Sequence, residues 1–366
     1  MRILTVNAGS SSLKLRLLGD RDEVIQSADL PAGDSGTSDS GLAKALRDWR
    51  APEATGHRIV HGGTRFTGPV LVDAEVENAL RALTDLAPLH QPKSLAAFDA
   101  VRKLFPDVPA VACFDTAFHA SLPAAAATYA IPREWQQRYG VRRYGFHGLS
   151  HAYCSRRAAE LLGRRPAGLR LVTCHLGAGA SLAAVVSGRS VDTTMGFTPL
   201  EGLVMATRSG TVDPGLVLWL EEHEQLPPAD VANALEHRSG LLALAGTADM
   251  RDVEAAAAAG DEAATLAFDV FVHRLVTGIG AMTAAAGGLD ALVFTAGIGE
   301  HSPAVRAAAT RPLGHLGVLI DADRNDGARG DADISHAQAS ARSLVVAARE
   351  DLQITRETRS VLTAGR

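Results

Sequence analysis

Lysine is almost missing from this 366-residue chain: it occurs only at Lys14, Lys44, Lys93 and Lys103, so nearly all of the 36 basic residues are arginine. With 41 acidic residues the net charge is −5, which argues against nucleic acid as a partner, since that demands a basic surface. The chain is also rich in alanine, so its arginine content reflects genome composition as readily as anion recognition, and each arginine needs its own argument. Cysteine is scarce as well. Cys113, Cys154 and Cys174 show neither metal-ligand spacing nor a framework of pairs. Cys113 and Cys174 lie in or beside apolar runs, so buried free thiols in a reducing cytoplasm are expected. No uninterrupted run of 18 apolar residues occurs, and the first residues read as a strand rather than a charged segment followed by an apolar one. No membrane span and no signal peptide are therefore expected.

What remains is an ordinary globular composition, 46% hydrophobic and 21% charged, in a chain long enough for two cores. Its start is the most informative stretch. The runs Arg2–Asn7 and Leu13–Leu18 flank a Gly/Ser turn and predict a hairpin. That turn carries Asn7, Ser10, Ser11, Ser12 and Lys14, groups that can close around anionic oxygens. A solvated turn is the plainer alternative. Helical patterns follow at about 41–50, 73–87 and 92–105, and a buried strand over 108–114. A second cycle runs from a helix at 148–163 through strands at 169–175, 181–186 and 189–193. Here too a hairpin surrounds a Gly-rich turn, Gly177-Ala178-Gly179. Helices over 213–224, 228–237, 249–258 and 261–287 lead to a strand at 291–295. A helix to about 311, a strand over 343–347 and a terminal helix from about 350 complete the pattern. Two hairpin-led cycles suggest duplicated α/β domains with ligands between them.

Several segments carry chemistry. Arg58, in Gly56-His-Arg-Ile-Val-His-Gly-Gly63, is a candidate anion clamp, because a guanidinium grips a carboxylate or phosphoryl group with two hydrogen bonds. A structural salt bridge is its alternative. Asp115 follows a buried strand, where α/β sheets present active-site groups, although a helix N-cap would explain it equally well. His147 and His151 stand four apart. No glutamate lies between them and Gly148 weakens the helix, so one functional histidine is favoured over a metal pair. Arg208, Asp249, Met250, Arg251 and the run Gly297-Ile298-Gly299 add polar loops that are weak signals singly.

Taken in order, these segments resemble the acetate kinase family. The resemblance rests on Val6-Asn-Ala-Gly-Ser-Ser-Ser12, Gly-His-Arg-Ile-Val-His-Gly-Gly (56–63), Ala-Pro-Leu-His (87–90), Phe-Asp-Thr-Ala-Phe-His (114–119) and Tyr-Gly-Phe-His-Gly (144–148). It continues through Gly-Phe-Thr-Pro-Leu-Glu-Gly (196–202), Ala-Gly-Ile-Gly-Glu (296–300) and Arg-Glu-Thr (356–358). It spans the chain apart from 19–55, which looks shortened. The fold implied is α/β: two duplicated ribonuclease-H-like domains with an active-site cleft between them, as in the acetate and sugar kinase, Hsp70 and actin superfamily. The boundaries expected are 1–118 with 351–366 for the first domain and 119–350 for the nucleotide-binding one.

The activity implied is reversible phosphoryl transfer between ATP and acetate, in a cytoplasmic homodimer that uses Mg²⁺, or Mn²⁺ in its place. By position, the resemblance implies Asn7 and Glu350 near the metal, and Ser10, Ser12 and Lys14 in the first phosphate loop. Arg58, Asp115, His147 and Arg208 would be catalytic, with His90 lining the same site. Val60, Leu89, Phe146 and Pro199 would form the pocket for the methyl group. His175, Gly177, Ala178 and Gly179 would make the second phosphate turn, and Asp249, Met250, Arg251, Gly297, Ile298 and Gly299 would surround adenosine.

The departures fall on the nucleotide side. The family pattern His-Leu-Gly-Asn-Gly reads His175-Leu176-Gly177-Ala178-Gly179 here, and His301 and Arg349 stand where the family usually has Asn. Three readings follow: an acetate kinase with altered phosphate contacts; an acyl kinase using another donor or a longer acid such as propionate; or a catalytically weakened homologue that binds ligand. The intact acyl side favours the first.

Overall fold

The structure is a computed structural model that describes residues 1–9, 12–31, 39–84 and 91–364. Ser10, Leu89 and His90 lie outside the described residues. The chain divides into two units. The first comprises Met1–Ala120, His147–Tyr153 and Arg349–Arg366, and the second Ser121–Phe146 and Cys154–Ala348. The segment His147–Tyr153 thus groups with the first unit, although the sequence pattern assigns it to the second domain. The backbone shows why: Gly148 N–H donates to the Asp115 carbonyl at 2.9 Å, and His151 packs edge-on against His119.

The first unit holds strands β1 (Ile3–Ala8), β2 (Ser12–Leu18), β3 (Val24–Pro31), β4 (Ala54–Ile59), β5 (Val70–Leu71) and β6 (Ala110–Phe114). They form one sheet in the order β3-β2-β1-β4-β6-β5. β1, β2 and β3 make an antiparallel meander, β4 and β6 continue it in parallel, and β5 closes the edge antiparallel to β6. β1 is buried at every position, as befits a central strand covered on both faces. One face packs Leu4, Val6, Leu13, Leu15 and Leu17 against helices that contribute Leu42, Leu46, Ala97 and Val101. Each fully buried leucine contributes about 1.5–3 kcal/mol. β3 was not expected from the sequence. Its alternating, half-exposed residues are those of an edge strand without a strong apolar signal.

The second unit repeats this plan. Strands β7 (Arg170–Leu176), β8 (Ala180–Val186), β9 (Arg189–Thr193), β10 (Ala291–Thr295), β11 (Ala332–Asp333) and β12 (Arg342–Val345) form a sheet ordered β11-β12-β10-β7-β8-β9. Each strand occupies the place of the one six earlier in the first sheet, with the same parallel and antiparallel senses. The duplication expected from the two hairpins extends to complete sheets. The 24-residue helix Glu262–Ala285 is apolar and long enough to cross a membrane by length and composition alone. It carries Asp269, His273 and Arg274 in its middle, and it buries Ala264, Ala267, Phe271, Leu275, Ile279 and Met282, a stripe at helical spacing.

Candidate active site

In the first unit β1, β4 and β6 run parallel, so their carboxyl ends share one edge of the sheet. Asn7 lies near the end of β1, Arg58 near the end of β4, and Asp115 directly after β6. This edge is where parallel sheets place ligands. The terminal helix Glu350–Ala364 brings Glu350 to the same place. It lies directly on β4: a Cβ on Gly56 would stand 2.3 Å from Thr358 Oγ1 and 2.6 Å from Ile354 Cγ2. Glycine is required there for that close approach.

The four side chains form one hydrogen-bonded set. Arg58 grips Asp115 with both edges of its fork, Nε to the two carboxylate oxygens at 3.1 and 3.0 Å and Nη2 to Oδ2 at 2.5 Å. Its Nη1 donates to the Ala8 carbonyl at 3.1 Å and, at 3.4 Å, to Asn7 Oδ1. Asn7 Nδ2 in turn donates to Glu350 Oε2 at 2.6 Å. Asp115 is buried. Burial pushes its pKa up, the Arg58 charge and hydrogen bonds oppose that, and the Glu350 carboxylate adds to the rise. For Arg58, burial alone would lower the pKa, but the charges of Asp115 and Glu350 outweigh it and keep the guanidinium above its ordinary value. Asp115 is therefore an ion-pair partner rather than a helix cap. The short turn Ala117–His119 begins only after Thr116.

His147 is anchored to the same place. Its backbone N–H donates to Asp115, and a Cβ on the following Gly148 would meet the Asp115 carbonyl at 2.1 Å. The His147 backbone is left-handed at φ 56°, an uncommon conformation for a residue with a side chain. Such strain persists where the surrounding structure enforces it. The helix Gly148–Leu161 starts after His147, so His147 and His151 do not share a helical face, and buried His151 packs on His119 with ring centroids 5.6 Å apart. Val60 is buried just beyond β4, Ser12 opens β2, and Lys14 is exposed opposite Asn7 in the β1–β2 register.

The second unit gathers most of the expected nucleotide residues. β7 and β10 are parallel neighbours, with His175 paired to Thr295, and they end at Leu176 and Thr295. Gly177-Ala178-Gly179 is the three-residue turn between β7 and β8, closed by Gly177 N–H to the Gly179 carbonyl at 3.0 Å. Gly297, Ile298 and Gly299 lie in the short helix Ala296–His301, which follows β10. The two glycine segments adjoin: a Cβ on Gly177 would stand 3.7 Å from Ala296 Cβ and 4.0 Å from Gly297 N. Asp249 caps the helix Met250–Ala258 and holds the exposed Arg251 through Nε and Nη2. That pairing lowers the Asp249 pKa to about 2. Met250 is buried. Glu254 of this helix accepts from Ser302, just after Ala296–His301, so the two elements expected on the adenosine side are joined.

Arg208 donates to the Pro199 carbonyl at 3.3 Å and approaches Met205 Sδ at 3.9 Å. Burial lowers its pKa, and the charge of Glu236 offsets part of that. Its loop is tied to the Gly177–Gly179 turn by Ala206 N–H donating to the Ala178 carbonyl at 3.1 Å. Phe146 is buried in this unit and Pro199 partly so. Of the residues that depart from the family pattern, Arg349 pairs with Asp351 at 2.8–3.2 Å, and His301 is exposed at the end of its helix.

Sequence reasoning missed Arg306. It is fully buried and donates to the carbonyls of Gly299 (3.0 Å) and Glu300 (2.9 Å), and to the Asn325 side chain and carbonyl. It therefore holds the glycine segment from behind. The one signal for it is an arginine inside an otherwise small and apolar helix, Pro303–Thr310. Among the described residues no group of three or more His, Cys, Asp or Glu could hold a metal ion.

Comparison with known proteins places this geometry. Acetate kinase of Pseudothermotoga lettingae is 42% identical over 399 aligned positions that cover 100% of this chain and 98% of that protein. The crystal structure of Porphyromonas gingivalis acetate kinase superposes with a TM-score of 0.89 at 35% identity, covering 99% of each chain. A propionate kinase from Francisella tularensis superposes at 0.86, also at 35% identity, covering 98% of this chain and 99% of that one. The model of the acetokinase family matches residues 42–356, and this chain belongs to that family.

Proposed function

We propose that this chain is an acetate kinase, a phosphotransferase that moves a phosphoryl group reversibly between ATP and acetate by direct in-line transfer. The observation that carries this reading is the partly buried Arg58, oriented by the buried Asp115 beside Asn7 and Glu350 at the carboxyl ends of three parallel strands. A small carboxylic acid has a pKa of about 4, so acetate is already a nucleophile at neutral pH and needs no general base. The reaction requires two anions to be held in line and their charge cancelled. Arg58 and Arg208 supply guanidinium charge and His147 a further donor, while Asp115 orients Arg58 rather than removing a proton. We assign recognition of the acetate methyl group to Val60, Leu89, Phe146 and Pro199, with His90 as a further acetate-binding residue, on the family resemblance.

On the nucleotide side, Ser10, Ser12, Lys14, His175 and the turn Gly177–Gly179 take the phosphates. Asp249, Met250, Arg251, Gly297, Ile298 and Gly299 take adenosine. The oxygen donors of Glu350 and Asn7 fit Mg²⁺ (or Mn²⁺ in its place), a hard cation that is bound through one or two protein oxygens together with water and nucleotide phosphates. Those two residues would hold it, and its chemistry there is neutralisation of the phosphate charge. We assign the protein to the cytoplasm. A second copy of the chain would cover the apolar residues exposed on the helices Glu262–Ala285 and Pro214–Glu222, among them Leu266, Leu218 and Trp219. Sedimentation at micromolar concentration should give the mass of two chains, and a monomer mass overturns that assignment.

The deciding experiment is acyl phosphate formation from Mg-ATP, trapped as the hydroxamate, with acetate, propionate or butyrate. Turnover with acetate above the others is expected. The second reading, a propionate kinase, is favoured by the similarity to the Francisella enzyme and would show as propionate turned over faster. Silence with ATP, GTP and pyrophosphate alike would leave a ligand-binding homologue.

A further inference from the structure

Behind the loop that carries Pro199, three residues far apart in sequence form a polar assembly that the reaction itself does not use. Glu201 accepts from the Tyr129 hydroxyl at 2.5 Å through one carboxylate oxygen and from Arg143 Nη2 at 2.6 Å through the other. The Tyr129 oxygen also accepts from the Phe197 backbone N–H at 2.9 Å, and the Arg143 guanidinium lies over the Tyr129 ring, 5.4 Å from its centroid. Arg143 Nη1 reaches three successive carbonyls, those of Thr193, Thr194 and Met195, at 3.1–3.3 Å. Gly196 fits between them only because it has no side chain. A Cβ there would stand 1.8 Å from Glu201 Oε2 and 2.2 Å from the Tyr129 hydroxyl. The Gly196 carbonyl accepts from Tyr144 N–H at 3.0 Å and Gly145 N–H at 3.2 Å, which ties the loop to the segment that leads into Phe146.

This assembly therefore fixes two apolar elements at once, Phe146 through Gly196 and Pro199 through Phe197. It also sets the Pro199 carbonyl on which Arg208 rests. Burial and the Glu201 carboxylate hold the Tyr129 phenol above its ordinary pKa, so it stays a donor throughout the neutral range.

We propose that Tyr129, Arg143 and Glu201 are positioning residues that set acid-length selectivity, by fixing the Phe197–Pro199 loop against Phe146 and beneath Arg208. The inference rests on the acetate kinase reading and deepens it. One methylene in an apolar pocket is discriminated by only about 10–200-fold, so a small loosening of the loop should move the preference measurably.

The test compares Tyr129→Phe and Glu201→Gln with the unaltered chain in the hydroxamate assay, using acetate and propionate as acceptors. Tyr129→Phe removes both the donation to Glu201 and the acceptor of Phe197 N–H. Glu201→Gln keeps an acceptor for Tyr129 and removes the charge facing Arg143. We expect KM for acetate to rise about tenfold in Tyr129→Phe, in line with the loss of a hydrogen bond to a charged group. We also expect the acetate-to-propionate ratio of kcat/KM to fall several-fold in both variants, with KM for ATP within twofold of the original. An unchanged ratio in folded Tyr129→Phe overturns the inference, as does a matching rise in KM for ATP, which would signify general loosening. Should Glu201→Gln not fold, Tyr129→Phe alone decides. Failure of the unaltered chain to phosphorylate acetate would instead overturn the acetate kinase reading, and the selectivity role with it.

Discussion

The side-chain cluster at the carboxyl ends of β1, β4 and β6 in the first unit and the glycine-rich segments of the second are built from different materials. Asn7, Arg58, Asp115 and Glu350 are side chains that complete one another, each held by a charged or amide partner within 3.4 Å. The segments of the second unit proposed to take the nucleotide are largely backbone: a three-residue turn, two glycines in a short helix, and a capped helix start. These pieces are joined by main-chain bonds such as Ala206 N–H to the Ala178 carbonyl and are held from behind by Arg306. A site made of side chains fails when one is replaced. A site made of backbone tolerates replacement wherever the side chain faces outward. Of the departures from the family pattern, Ala178 and His301 stand in the second unit at exposed positions, while Arg349 stands in the first, half-buried and paired with Asp351.

The sharpest way to break the comparison is to remove Arg58. Arg58→Ala should lower kcat by at least about 10²–10³, the usual cost of deleting one charge-stabilising donor. It should also destabilise the chain by about 3–5 kcal/mol, because Asp115 would be left buried without its partner. Steady-state kinetics on folded protein checks the first expectation and thermal unfolding the second. Turnover near that of the unaltered chain would remove Arg58 from the reaction.

Acid should also act on the first unit. Burial lowers the pKa of His57 to about 3 and that of His61 to about 4. His57 Nε2 sits 3.0 Å from Thr55 Oγ1, its ring packs edge-on against Phe98, and its Nδ1 is buried without a hydrogen-bond partner. With a folded pKa below the unfolded value of about 6.5, the unfolded chain binds the proton first. The stability is therefore fully present above about pH 6.5 and is lost as pH falls toward the folded value. Each histidine contributes a slope of about 1.4 kcal/mol per pH unit, or roughly 2 kcal/mol between pH 6.5 and 5. Denaturant unfolding of His57→Gln across that range should show a shallower slope than the unaltered chain. Parallel slopes would mean that His57 does not carry the effect.

How much of this was legible depended on what holds each part together. Apolar and β-branched runs announced β1, β2, β7, β8 and β10, and a long helical pattern announced Glu262–Ala285. These depend on local pattern alone. β3 escaped because an edge strand shows few apolar residues, and the split of the 296–311 region into two helices follows from the Ser302 cap, a local detail inside one periodic stretch. For Arg58 and Asp115, residue type and strand position suggested an anion clamp and left a salt bridge open, and the structure contains that salt bridge. What residue patterns could not carry was pairing across distance. Asn7 with Glu350, Arg306 with the Gly299 carbonyl, and Tyr129 with Glu201 are each set by tertiary packing of elements whose own sequences look unexceptional.

Ala178 offers the mildest and most discriminating test, because it asks whether the backbone-built side has lost something the family pattern supplies. The Ala178 side chain is exposed, while its carbonyl is occupied by Ala206 N–H. Ala178→Asn can therefore add an amide at the tip of the turn without displacing the Arg208 loop. A hydrogen bond from that amide to a phosphate oxygen is worth about 1.5–3 kcal/mol at full strength, so at the lower end KM for ATP should fall roughly tenfold. KM for acetate should stay where it is, since the bond that ties the Arg208 loop to the turn goes to the Ala178 carbonyl, which the substitution keeps. A lower KM for ATP alone would mean that the turn is merely short of one donor and otherwise preorganised by its backbone. An unchanged or higher KM would mean that another group of this chain already makes the contact, and that the second unit has compensated as side-chain sites do.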